Sequence, residues 1–96
     1  MELMTIEFQA TPFRAKRFQE LYEPAAARVL VYGATDYVFF RSVDDPDHFV
    51  HLSTWDRRED FDRYWFSRDM QNTRAEIAGL HDLPVTPHWN YLVARG

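Results

Sequence analysis

Cysteine is absent from the sequence. That excludes a disulfide framework, a thiolate nucleophile and cysteine-ligated zinc, and it fits a reducing cytoplasm. Long apolar runs are absent too. No stretch of about 18 apolar residues is available to cross a bilayer, and Met1-Glu2-Leu3-Met4 does not open with the basic segment of a signal peptide. A cytoplasmic protein with no membrane partner is expected. Nor is there a surplus of positive charge. The formal charge is −4, whereas a nucleic-acid surface ordinarily shows as a basic face or stripe. The arginines are interleaved with acids. In Arg57-Arg58-Glu59-Asp60-Phe61-Asp62-Arg63 the pairs Arg58/Asp62 and Glu59/Arg63 are spaced to compensate one another on a solvated helix face.

What is present is aromatic. At 96 residues the chain has room for one domain, spanning 1–96, yet 17% of it is aromatic, with eight Phe and three Trp. A chain of this size buries only roughly 60–70% of the surface its unfolded form exposes, so the bulky apolar surface exceeds what a minimal core needs.

Alternation of Met4, Ile6 and Phe8 against Thr5, Glu7 and Gln9 predicts a half-buried strand over 2–10. Thr11 before Pro12, then Phe18, Leu21, Tyr22, Ala25 and Val29 at helical spacing, predict a helix over 12–31, with a kink or a restart near Glu23 because of Pro24, and a stop at Gly33. Two β-rich runs, 36–43 and 48–55, flank the turn Asp44-Asp45-Pro46-Asp47 and predict a hairpin. Asp56 with Glu59 reads as a capping box for a helix carrying Phe61, Tyr64 and Trp65, and Ser67 or Arg68 interrupts it before a second stripe of Met70, Thr73, Ile77 and Leu80. A last strand is expected over 85–94. The order β-α-β-β-α-β specifies a ferredoxin-like α+β domain with an antiparallel four-stranded sheet and its helices on one face.

Such a sheet alternates apolar and polar residues if its other face meets water. Here Tyr37 and Phe39 oppose Val38 and Phe40, and Phe49 and Trp55 oppose Val50 and Leu52. Both faces need cover, and a second copy of the sheet about a two-fold axis supplies it. A homodimer is expected, the alternative being that the fourth strand or the C-terminus folds over the bare face within one chain.

The run Phe40-Arg41-Ser42-Val43-Asp44-Asp45-Pro46, then Phe49 to Asp56, then Arg58-Glu59-Asp60-Phe61, resembles the antibiotic biosynthesis monooxygenase family of dimeric α/β-barrel proteins, over about residues 36–93. The shared features are a strand ending in Trp55 and a Phe, Phe61, six residues on. The resemblance implies a cofactor-independent oxidation of a small aromatic substrate, in which pocket groups ionise a phenol whose carbanion reacts with dioxygen. Haem-degrading relatives carry a second Trp nine residues after the first and an iron-ligating His ten beyond that. This chain has Tyr64 and Arg74 there, which disfavours haem.

Tyr64 is the first candidate for proton handling, at the expected sheet–helix interface; a core Tyr with a satisfied hydroxyl is the plainer reading. His51, between apolar neighbours, has the near-neutral titration of a general base but equally suits a hydrogen-bonded core position. Arg74 and Arg41 could bind an anionic or phenolate oxygen, or simply pair at the surface. Trp55, Trp65 and Phe61 could wall a planar ligand or pack the core. The remaining histidines lack zinc-ligand spacing and His48 and His51 face oppositely on a strand, so no metal is expected. The competing functions are a monooxygenase on an aromatic or quinone-like metabolite, a non-oxidative polyketide cyclase or isomerase, and a non-catalytic ligand-binding dimer. An RNA-recognition motif shares the element order, but its third-strand glycine and basic residue are missing from Asp47 to Thr54.

Overall fold

The computed structural model describes residues 1–96. Four strands, β1 (Glu2–Gln9), β2 (Asp36–Arg41), β3 (His48–Trp55) and β4 (His88–Tyr91), pair antiparallel in the order β2-β3-β1-β4. This is the ferredoxin-like arrangement expected. Ile6 stands opposite His51, Phe39 opposite His51 on the other side, and Met4 opposite both Ser53 and Trp89. These register pairs place Met4, Ile6, Phe8, Phe49, His51 and Trp55 on one face. The helices α1 (Ala15–Ala27), α2 (Val29–Tyr32), α3 (Arg58–Trp65) and α4 (Arg68–Ile77) supply Phe18, Tyr22, Val29, Phe61, Tyr64, Met70 and Ile77 to the same core.

Several local expectations are corrected. The first helix starts at Ala15, not at Pro12, because Phe13 adopts φ 68° and turns the chain before the helix begins. Thr11 Oγ1 donates to the Gly79 carbonyl and caps nothing. Pro24 lies inside α1 without ending it: its ring is exposed, so water can take up the carbonyl the missing N–H would have bonded, while Tyr22, Ala25 and Ala26 are fully buried. The break comes at Arg28, and Gly33, at φ 118°, ends α2 as expected. Asp56 makes no capping bond for α3. Arg57 holds the cap position and pairs with Glu59 at 3.2 Å, which takes away the acid the box required. The expected i,i+4 pairs are replaced by Arg58–Glu2 at 2.6 Å and Arg63–Asp60 at 3.0 Å. Ser67 is the true cap of α4, accepting from the Met70 amide at 3.1 Å. The last strand shrinks to four residues and Val93 is exposed.

Candidate functional site

A cavity of about 210 Å³ opens between β1, α1, α4 and the chain after Gly79. Its walls are Phe8, Tyr22, Trp65, Met70, Arg74 and Ile77, with Leu83 and Val85 closing one side. The helix stripes that build the core bring these residues together. Tyr22 is one turn beyond Phe18, and Met70, Arg74 and Ile77 share the inner side of α4.

Arg74 is the one arginine of the lining, which also includes the ring of His81. Its guanidinium carbon sits 4.8 Å from the Trp65 ring centroid, a cation–π contact. Its Nη1 is buried with no hydrogen-bond partner. A buried guanidinium N–H left unpaired is costly, and such a group marks a place where a partner belongs.

Beneath the cavity floor runs a polar layer. The Tyr22 hydroxyl lies 2.9 Å from His51 Nδ1, and Tyr64 Oη donates to the Ala25 carbonyl at 2.9 Å. Burial raises the Tyr22 phenol well above its ordinary range, with the Tyr64 phenol adding to the rise and Arg74 opposing it. Both phenols are protonated at physiological pH. Burial pushes His51 down to about 4, offset only in part by the nearby Ala26 backbone, and His51 Nε2 makes no hydrogen bond. The near-neutral titration expected of His51 is therefore not met: desolvation favours the uncharged ring. It can orient a neighbour but is a poor base.

Of the candidate residues, Trp65 and Arg74 line the cavity, and His51 and Tyr64 join the layer under it. Trp55 and Phe61 do not line it. They pack edge to face at 5.5 Å, and Trp55 Nε1 donates to Ser53 Oγ at 2.8 Å. Arg41 is on the edge strand β2, outside the lining, donating to the Pro46 carbonyl and lying 5.3 Å from the Phe49 ring. The acids at 44–47 form a turn, Asp45 N donating to Ser42 Oγ and Asp47 N to Asp45 Oδ1. No three His, Asp or Glu side chains converge as a metal site needs. The residue that sequence reasoning missed is Tyr22. Its helical spacing was visible and read as core alone; what pointed further was a hydroxyl on a stripe otherwise made of Phe, Leu, Ala and Val.

Residues 1–76 match the family described as antibiotic biosynthesis monooxygenase. The match includes the first strand and helix, which the sequence resemblance had left out, and ends before the last strand. No curated protein matches the chain. Among solved structures, a Nitrosomonas europaea protein provisionally named an antibiotic biosynthesis monooxygenase superimposes with TM-score 0.87 at 16% identity, covering 98% of this chain and 100% of its own. A Mycobacterium tuberculosis protein follows at TM-score 0.82 and 18% identity (98% and 96% covered), and a Pseudomonas aeruginosa protein at 0.84 and 15% (97% and 94%). At these identities the likeness establishes the fold.

Proposed function

The chain belongs to the antibiotic biosynthesis monooxygenase family, and from that membership we propose that it is a homodimeric, cofactor-independent monooxygenase acting on a small aromatic or quinone-like metabolite. The observation that carries the reading is Arg74: a cation with an unpartnered buried N–H, held against Trp65 at the wall of an otherwise apolar cavity. An apolar cavity with one fixed cation suits a flat molecule bearing one anionic oxygen. Trp65, Phe8 and Met70 supply the apolar walls, and a low local dielectric strengthens the guanidinium's hold on that oxygen.

The chemistry follows from charge. Binding beside Arg74 favours ionisation of a substrate phenol, whose proton leaves to solvent or to His81 on the cavity wall, because neither His51 nor the two raised phenols is a competent base near neutral pH. The ionised ring carries carbanion character and gives electrons to dioxygen. A ring CH₂ becomes C=O: one oxygen atom enters the product, the other leaves as water with the two hydrogens, and the four electrons come from that carbon. No external reductant is required. His51 and Tyr64 act in this scheme by holding the cavity floor, and Arg74 by holding charge.

An oxygen electrode run with a panel of anthrones and hydroxyquinones tests the proposal. One dioxygen consumed per oxidised product is expected, with kcat/KM falling about 10- to 100-fold in Arg74→Met, the scale of one lost charged hydrogen bond. Dioxygen consumption that yields no hydroxylated or quinone product counts against it. Turnover to a cyclised product under argon would instead establish the non-oxidative reading.

A further inference from the structure

After α4 the chain returns to the cavity at His81. The Thr11 amide donates to the Leu80 carbonyl at 2.9 Å and the Asp82 amide to the Gln9 carbonyl at 2.8 Å, so His81 pairs with Ala10 as a single bridge just past the end of β1. Main chain, not side chain, sets its place. The imidazole is half-buried in the cavity lining and stands edge to face with two core rings, at 5.4 Å from Phe8 and 5.7 Å from Phe18 between centroids. Its two nitrogens have different surroundings. Nδ1 lies 3.0 Å from the Asp82 carbonyl oxygen. A carbonyl only accepts, so Nδ1 carries the proton of the neutral ring and Nε2 keeps its lone pair. Nε2 makes no hydrogen bond, and unlike Arg74 Nη1 it is not sealed from water. An imidazole held in this tautomer is an oriented base. Nothing else in the lining competes for the task. Arg74 keeps its proton, and burial holds the Tyr22 phenol well above its ordinary range, so each has a hydrogen to give and neither takes one.

We propose that His81 is a catalytic residue of this cavity, the base that takes the substrate's phenol proton on Nε2 while Arg74 holds the oxygen it leaves. The inference rests on the phenolate reading of the site and deepens it by naming where the proton goes. The substrate O–H bond breaks, an N–H bond forms at Nε2, and the electron pair stays on oxygen, so two neutral groups become an imidazolium and a phenolate with no change in total charge. The proton later returns from Nε2 to the oxygen atom that leaves as water. The charged and titratable groups that share the cavity with His81 are Arg74 of α4 and Tyr22 of α1, with the exposed Asp82 next to it in the chain, while β1 supplies the uncharged Phe8. An imidazolium beside Arg74 is unfavourable alone. The phenolate formed in the same step offsets that repulsion.

The test uses 3-nitrophenol, which is mostly the uncharged phenol in neutral buffer and is yellow only as its anion; its binding needs no dioxygen. The wild type is expected to turn the bound probe yellow while releasing almost no protons, counted from the dependence of the calorimetric heat on the buffer's own ionisation enthalpy. His81→Gln, which leaves the main-chain clamp in place, should release about one proton for each anion it binds. In the oxygen electrode the same variant should lose about 10²- to 10⁴-fold in kcat/KM, the range of one general base, together with the acid-side fall of the wild-type pH profile. Nitrogen-15 chemical shifts of wild-type His81 should place the neutral ring's proton on Nδ1. A full proton released per anion by the wild type, a neutral ring protonated on Nε2, or a folded His81→Gln with wild-type kcat/KM would each overturn the proposal. Should His81→Gln fail to fold, the wild-type proton count and tautomer still decide. A wild type that leaves the bound probe colourless would remove the phenolate reading along with this one, whereas a yellow probe with a full proton released would remove His81 alone. A protein that passes the binding tests yet consumes no dioxygen with any phenol would retain the base and lose only the monooxygenase reading.

Discussion

His51 is neutral because it is buried, and that has a measurable effect on stability. Unfolded, the imidazole titrates near 6.5; folded, at about 4. Between those values the unfolded chain binds the proton and the folded one does not, so acid favours unfolding, and the loss is complete once the pH falls below the folded value. Above 6.5 the residue contributes no pH dependence. The full loss is about 3 kcal/mol by linkage. Urea denaturation from pH 7 to pH 4.5 is expected to show a falling midpoint in the wild type and a flatter profile in His51→Gln; parallel profiles would show that the ring is not held neutral. The sequence placed His51 on a strand among apolar neighbours, and that much was legible. Its titration was not, because desolvation depends on what α1 lays over the ring, and a separation of 29 positions between Tyr22 and His51 conceals that contact. Arg41 and Arg74 were indistinguishable for the same reason. The sequence neighbours of neither arginine state where its side chain goes, and only the fold sends Arg41 to a sheet edge and Arg74 to a cavity wall.

Helix starts show the same limit one level up. Asp56 with Glu59 and Ser67 with Met70 are both plausible caps by residue type, but only Ser67 makes the bond. A cap depends on the backbone entering the helix in an extended conformation with its side chain turned back, and residue type states only that this is chemically possible. Ser67→Ala should cost about 1 kcal/mol, and Asp56→Ala should stay within about 0.5 kcal/mol, both read from urea midpoints at constant m. The reverse ranking would mean that α3, not α4, depends on a side-chain cap. Periodicity, in contrast, was reliable wherever burial was one-sided. Met4, Ile6 and Phe8 are all buried as their alternation required, and Phe61 with Tyr64 face the core as their spacing required. The last strand misled because its alternating residues continue past the point where β1 ends. With no partner beyond Glu2, which pairs with Tyr91, the chain stops being a strand and Val93 is left in solvent.

At the scale of the whole molecule the open question is the sheet face that carries no helices. Val38 is 55% exposed and Phe40 48%, on the same face as Leu52 and the nearly buried Val50. Part of this face is already occupied: Leu92 and Arg95 lie beside Leu3, Val38 and Leu52, and Arg95 approaches Asp36 at 3.8 Å. The tail thus does some of the covering considered as an alternative to a partner, but it leaves Phe40 and half of Val38 wet. Burying those two side chains against a second copy removes apolar surface worth about 1–2 kcal/mol for each residue still half exposed, and a two-fold pairing doubles every such contact. Phe40→Glu should therefore oppose association twice over, by removing the contact and by placing a carboxylate against the partner's apolar sheet face, while the protomer, in which Phe40 is already half exposed, keeps its fold. Sedimentation is expected to give about twice 11.5 kDa for the wild type and a concentration-dependent shift toward the single-chain mass for Phe40→Glu, with unchanged circular dichroism. A wild-type chain that sediments as a well-folded single copy would remove the dimer and leave the tail as the only cover for the face.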